Sequence, residues 1–301
     1  MNDRAEWLSA RKRGLGGTDA AAALGVSKWK TELSVYLDKR DEAPPVEQNA
    51  PMYWGTQLQT LVRDEYKRRT GATIYNTPMI WSKRHPFMLA NTDGRRLDDR
   101  RIVEIKTARS AEGWGDEGTV DIPVDYLCQV HHYMIVAEVD LADVAVLIGG
   151  SEYRQYTIPY DAELGDMIVE AERELWDRIQ RGDPPAPRTT ADLAALYRIS
   201  KSQPIEAPDA IYAAWMQLRA VKQEIADAER RAEKLELAIK AHMRDCYTLV
   251  HGGATLATWK TAKATQRLDA KLGAAEAPDI YQRCLVTGQP SRRFLLKGAK
   301  E

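Results

Sequence analysis

The sequence predicts a mixed α/β (α+β) fold in residues 1–188, a central mixed sheet flanked by helices, followed by a long-helix and β-hairpin appendage in residues 189–301. Three observations carry this expectation. Segments of helical period alternate with short β-rich runs as far as residue 181. The polar turn Leu97-Asp98-Asp99-Arg100 lies between two apolar runs and predicts a hairpin at the centre of the sheet. The P-P-A-P of residues 184–187 ends the alternation, after which residues 209–245 read as one unbroken helix.

Residues 3–12 predict a helix that runs into R-G-L-G-G-T-D-A-A-A-A-L-G. Gly14, Gly16 and Gly17 interrupt it, Thr18 is the expected N-cap of a short alanine-rich helix, and Gly25 its stop. A glycine loop feeding a helix N-terminus exposes backbone N–H groups to an anion, and Arg11 and Arg13 stand just upstream. Residues 31–40 predict the next helix, followed by a loop through Pro51. From Met52 an amphipathic helix runs to Gly71 with Gln59, Val62 and Tyr66 at helical spacing. Residues 72–81 predict a strand, and residues 88–93 and 101–107 the two arms of the hairpin. The run A-E-G-W-G-D-E-G-T predicts a mobile loop able to close over a substrate. Pro123 starts a helix that puts Tyr126, Gln129 and Tyr133 on one stripe. Strands at 143–148 and 153–158 and a helix at 161–181 complete the unit.

Beyond it, a short helical piece at 193–199 precedes the long helix, about 55 Å at 1.5 Å per residue. Its stripe of Ile211, Trp215, Leu218, Val221, Ile225, Ala228, Ala232, Leu235 and Ile239 approaches a coiled-coil period and calls for a partner. Residues 247–260 predict a hairpin turning at His251-Gly252-Gly253, and S-R-R-F-L-L-K a final strand.

Composition narrows the function classes. A 301-residue chain that is 44% hydrophobic and 29% charged has the balance of a soluble globular protein. Without a bilayer-length apolar stretch or the apolar core of a signal peptide in M-N-D-R-A-E-W, a cytoplasmic protein with no membrane partner is expected. Three scattered cysteines and five histidines form neither a disulfide framework nor a zinc spacing. Net charge of −1 means that any nucleic-acid affinity comes from local patches. The candidates are Arg11-Lys12-Arg13, Lys67-Arg68-Arg69, Arg95-Arg96 with Arg100-Arg101, and Arg292-Arg293.

The hairpin holds the candidate chemistry. Antiparallel pairing places Asp93 opposite Glu104, with Lys106 two residues along on the same face. Facing carboxylates repel, and the apolar Ile102, Val103 and Ile105 argue that Glu104 is not simply solvated. A divalent metal between the two rationalises the arrangement, with Lys106 beside it for a phosphate or an attacking water.

The order W-x3-R-x6-T-D-A-A, W-G-T-Q-L, N-T-D-G, E-I-K and Y-L-C-Q-V resembles the YqaJ-type viral recombinase nucleases, relatives of lambda exonuclease in the PD-(D/E)xK superfamily. The resemblance covers residues 5–181, and S-R-R-F-L-L-K is similar to the tail of longer phage members. It implies a restriction-endonuclease-like core in which Asp93, Glu104 and the backbone carbonyl of Ile105 hold Mg²⁺, with Mn²⁺ as substitute. By the same resemblance Lys106 orients the attacking water, Gln129 assists, and Arg11 and Thr18 grip a DNA 5′-phosphate. The implied activity is a 5′-to-3′ exonuclease on double-stranded DNA ends in phage-type recombination, alongside a single-strand-annealing protein and in a homo-oligomeric ring, in a bacterial cytoplasm and encoded by a phage or prophage. Two departures stand out. N-T-D replaces the superfamily's Pro-Asp, and Gln59 stands where the family's W-G-x3-E has a carboxylate, leaving it a water contact to a second metal. An endonuclease or nickase on the same fold, and a DNA-end-binding module with a decayed site, are the alternatives.

Overall fold

The computed structural model describes residues 2–43, 49–264, 269–286 and 292–296. They divide into two units, Met1–Tyr197 and Arg198–Glu301. In the first unit the elements are α1 (Asn2–Arg11), β1 (Leu15–Gly16), α2 (Gly17–Ala23), α3 (Glu32–Lys39), α4 (Ala50–Thr70), β2 (Ile74–Tyr75), β3 (Ile80–Trp81), β4 (Met88–Ala90), β5 (Gly94–Arg96), β6 (Ile102–Ala108), α5 (Val124–Ala137), β7 (Leu141–Ile148), β8 (Glu152–Pro159), α6 (Ala162–Arg181) and α7 (Thr190–Leu196). The central sheet is mixed, with strand order β2-β5-β6-β7-β8. Only β6 and β7 run parallel, joined by the crossover through α5. A smaller sheet has the order β1-β4-β3.

Strands β6 and β7 are covered on both faces, so apart from Glu104, Lys106 and Thr107 on β6 and Asp143 on β7 they are apolar throughout. On one face Val103, Ile105 and Ala145 pack under Val62 and Tyr66 of α4. On the other, Ile102, Val144 and Val146 meet Val130 and Met134 of α5. Asp143, fully buried on β7, accepts hydrogen bonds from the Tyr66 hydroxyl at 2.5 Å, Thr157 at 2.7 Å and Arg101 at 3.0 Å, so it ties α4 to the sheet and links β7 to the neighbouring strand β8. Helix α6 is cut to the core by its spacing, burying Ile168, Glu172, Leu175 and Ile179 along one stripe.

Helix boundaries follow the local signals closely. Asn49 caps α4 and Thr31 caps α3 through side-chain bonds to backbone N–H groups, and Gly71 ends α4 at φ +69°. The expected N-cap Thr18 is a correction. The cap of α2 is Gly16, whose N–H donates to Asp19 one turn ahead, so Thr18 lies in the first turn. The strand expected over 72–81 is two two-residue strands in different sheets, β2 paired with β5 and β3 with β4. The arm expected over 88–93 stops at Ala90, because the chain changes sheets between β4 and β5. The glycine-rich loop is pinned: Trp114 is buried against Tyr126 and Tyr156, and the Gly115 carbonyl accepts from both Arg154 and Tyr156. A tryptophan with a core slot outweighs the freedom of the glycines around it.

The first unit extends past residue 188 to Tyr197. Buried Asp192 of α7 accepts the Thr31 hydroxyl at 2.6 Å and the N–H groups of Arg188 and Thr189. The second unit holds α8 (Asp209–Met243), the antiparallel pair β9 (Thr248–His251) and β10 (Ala254–Thr258), α9 (Ala270–Glu276) and α10 (Pro278–Cys284). Its hairpin turns at Gly252-Gly253, both at positive φ. Arg292 to Leu296 form no strand, and the ends of the expected final strand, Ser291 and Lys297, lie outside the described residues. No helix among the described residues is long and apolar enough to cross a membrane.

Candidate active site

Hairpin β5–β6 sets the site. Its four-residue loop 97–100 is closed by the Arg96 N–H to the Arg101 carbonyl at 2.9 Å, and Gly94 pairs with Val103. That register, extended by one residue, brings Asp93 opposite Glu104 as the sequence predicts. Asp93 itself lies in the bend before β5, where its side chain takes over from the backbone ladder: Oδ2 accepts the Ile105 N–H at 2.8 Å. Its Oδ1 accepts from the side-chain amide of Gln59 on α4, so Gln59 touches the carboxylate directly.

Glu104 is 3% exposed. Its Oε1 accepts from Lys106 at 2.6 Å and from Gln129 on α5 at 2.8 Å, while its Oε2 is buried without a hydrogen-bond partner. Gln129 closes the triangle, accepting from Lys106 at 2.9 Å on Oε1 and donating to both Glu104 and the Tyr133 hydroxyl. The Lys106 ammonium also lies 4.7 Å from the centre of the Tyr126 ring. The expected stripe Tyr126, Gln129, Tyr133 therefore faces the acidic pair. Burial, reinforced by Asp93, pushes the Glu104 carboxyl up to about 7 against the opposing pull of Lys106 and Gln129. Burial also raises Asp93, against its bond from the Ile105 N–H and the Lys106 charge. Lys106 is shifted upward: burial lowers it, but the Glu104 and Asp93 charges outweigh that.

These groups line a cavity of about 540 Å³ together with Ile105, Trp7, Arg11, Gly16, Gly17 and Thr18. Arg11 stacks on Trp7 at 4.9 Å, and Trp7 reaches toward Asn91. All eight residues singled out from the sequence thus border one cavity: Asp93, Glu104, Ile105, Lys106, Gln129, Gln59, Arg11 and Thr18. Gly17 has no room for a side chain, since a Cβ there would lie 2.5 Å from the Tyr133 ring, and α2 abuts α5 only because this position is bare.

The sequence reading missed Asp19. Fully enclosed, it holds Lys30 at 2.7 Å and the equally buried Lys39 at 2.9 Å, and Lys39 in turn donates to the Arg11 carbonyl. This buried ion pair fixes the loop that presents Arg11 and Gly16 to the cavity. A lone carboxylate in an otherwise alanine helix was the available signal. The basic runs are mostly committed elsewhere. Lys67 pairs with Asp64, Arg68 and Arg69 with Glu65, Arg96 with Asp98 and Arg101 with Asp143. His131 and His132 are core groups, bonded to the Leu127 carbonyl and to Glu172.

Among the described residues no group of three or more His, Cys, Asp or Glu side chains converges as a metal centre. The oxygen donors at hand are two facing carboxylates, a set that suits a hard cation retaining much of its own water, as Mg²⁺ does. The orphaned Oε2 of Glu104 and the upward shift of both carboxyls fit the group: they mark a negative site short of countercharge.

Residues 6–140 match the family described as the YqaJ-like viral recombinase domain. Among solved structures, the chain is similar to an alkaline exonuclease (LHK-Exo) from Laribacter hongkongensis, with 19% identity, a TM-score of 0.46 and coverage of 58% of this chain and 94% of that one. It is also similar to a phage related exonuclease from Haemophilus somnus 129PT, with 14% identity, a TM-score of 0.43 and coverage of 56% and 96%. A fuller match is "Uncharacterized protein YqaJ" of Bacillus subtilis (strain 168), 35% identical over 295 residues that span 93% of this chain and 90% of that one. Identity sustained over nearly the whole length of both proteins carries the assignment: this chain belongs to the YqaJ-like viral recombinase domain family.

Proposed function

We propose that this protein is a Mg²⁺-dependent DNA exonuclease that works from the 5′ ends of duplex DNA. The observation that carries the reading is the Glu104 carboxylate, buried, facing Asp93 and left with an unpartnered oxygen in a cavity that Lys106 also enters. Asp93, Glu104 and the Ile105 carbonyl would hold the ion. Once bound, Mg²⁺ or its substitute Mn²⁺ supplies Lewis-acid polarisation of a phosphodiester and lowers the pKa of water.

The chain's own groups do the positioning. Gln129 braces both Glu104 and Lys106, so the lysine is held against a carboxylate rather than left to wander. From there its ammonium can donate to a phosphate oxygen or to the incoming water, and the Tyr126 ring walls off one side of it. Arg11 and the N–H groups at Gly17 and Thr18 offer charge and donors to a terminal 5′-phosphate across the same cavity. Polarity, a recombination role, a single-strand-annealing partner and a ring assembly rest on family resemblance.

Gln59 favours a second reading, a DNA-end-binding module with a decayed site, because a neutral amide rather than a carboxylate meets Asp93. Incubation of linear and closed-circular duplexes with Mg²⁺ separates the readings. Nucleotide release from linear DNA alone is expected. Nicked circles would indicate an endonuclease, and retention of ends without products the binding module.

A further inference from the structure

We propose that α8 pairs with α8 of a second copy of this chain as an antiparallel two-stranded coiled coil. The helix runs 35 residues, five heptads. Alternating steps of three and four from Ile211 to Ile239 land on nine apolar side chains without a break, and the tenth position is His242. These positions are exposed: Ile211, Leu218, Val221, Ile225, Leu235 and Ile239 show 37–68% of their surface. Monomeric proteins rarely leave an apolar strip of this length to water.

Two independent features select the occupant and its direction. The first is side-chain volume. Antiparallel pairing centred between Ala226 and Asp227 sets Ile225 against the partner's Ala228, Val221 against the partner's Ala232, and Ala214 against the partner's Ile239. Leu218 then meets the partner's Leu235, so every layer except the terminal one, where Ile211 meets the partner's His242, holds one large and one small side chain or two leucines. Parallel pairing would stack like on like, with alanine facing alanine in the successive layers at 228 and 232.

The second feature is charge. The same antiparallel register faces Lys222 with the partner's Glu229 and Glu224 with the partner's Arg231, each twice by symmetry. None of these four residues is ion-paired among the described residues. Parallel pairing would instead put Glu224 against the partner's Glu229 on both flanks. The interface is isologous, so each α8 takes one partner helix and leaves no apolar face for a second.

Sedimentation of the full chain tests this. Association of chains two by two through α8 is expected, giving an even number of chains per particle. Lys222→Glu and Glu229→Lys should each weaken association by roughly tenfold, as two attractive flanking pairs become repulsive. The double variant Lys222→Glu/Glu229→Lys should restore it, and far-UV circular dichroism should show helix content unchanged in all three. A monomer at every concentration, or a larger assembly indifferent to the charge swap, overturns the proposal. Tighter association of Glu229→Lys alone overturns it in favour of parallel strands.

Discussion

Asp93 divides its two carboxylate oxygens between the backbone and the cavity, and that division decides how it should be altered. Asp93→Asn keeps an oxygen for the Ile105 N–H and should abolish hydrolysis with an unchanged melting profile. Asp93→Ala leaves that N–H without its partner and should cost about 1–3 kcal/mol as well, visible in chemical denaturation. Glu104→Gln should also be inactive with little change in stability, since it relieves the repulsion with Asp93 but leaves Lys106 without its ion-pair partner. For Lys106→Ala, single-turnover cleavage should fall about 10³-fold with Mg²⁺ affinity by calorimetry little changed. Gln59→Glu should lower the Mg²⁺ concentration for half-maximal rate, and an unmoved titration would remove Gln59 from the chemistry. The convergence of Asp93, Glu104 and Lys106 was legible because a hairpin register is arithmetic on sequence. The amide of Gln59 against Asp93 was not, since the depth of α4 over the sheet is set by the burial of Val62 and Tyr66.

At the level of elements, α2 is the short helix whose placement depends on one ion pair and one missing side chain. Burial alone would raise the Asp19 carboxyl, but the Lys39 and Lys30 charges hold it well below the ordinary 3.8. Its contribution to stability is therefore complete above pH 3.8 and is lost as the pH falls below that value. Asp19→Asn should destabilise the protein by roughly 3 kcal/mol at neutral pH, and the deficit should shrink on acidification below pH 4 in urea titrations. Gly17→Ala should cost about 1–3 kcal/mol and pull α2 away from Tyr133, a change readable in the Tyr133 environment by fluorescence or NMR. The long elements were legible because α4, α5 and α6 carry both a periodic stripe and terminal signals. Strands β2 and β3 were not, being two residues each and strands only through their neighbours β5 and β4. Trp114 misled in a different way, since glycines on both sides of it masked a core residue.

Taken whole, the first unit needs α7, and the described residues that line the cavity all belong to that unit. A fragment of residues 1–197 should hydrolyse DNA if the full chain does. One ending at 188 should be about 1–3 kcal/mol less stable in thermal melts, because Thr31 and the end of α6's following segment lose Asp192. The parallel pairing of β6 with β7 has a consequence for the order of events in the cell. Every chemical group around the cavity has been synthesised by Tyr133, yet β6 stays an edge without its neighbour until the ribosome has released residues through Ile148. Contacts across that sequence gap form slowly compared with the local hairpin. A nascent chain thus carries the side chains of the cavity for some time with no frame to aim them, and the cavity takes its shape only after the crossover has closed.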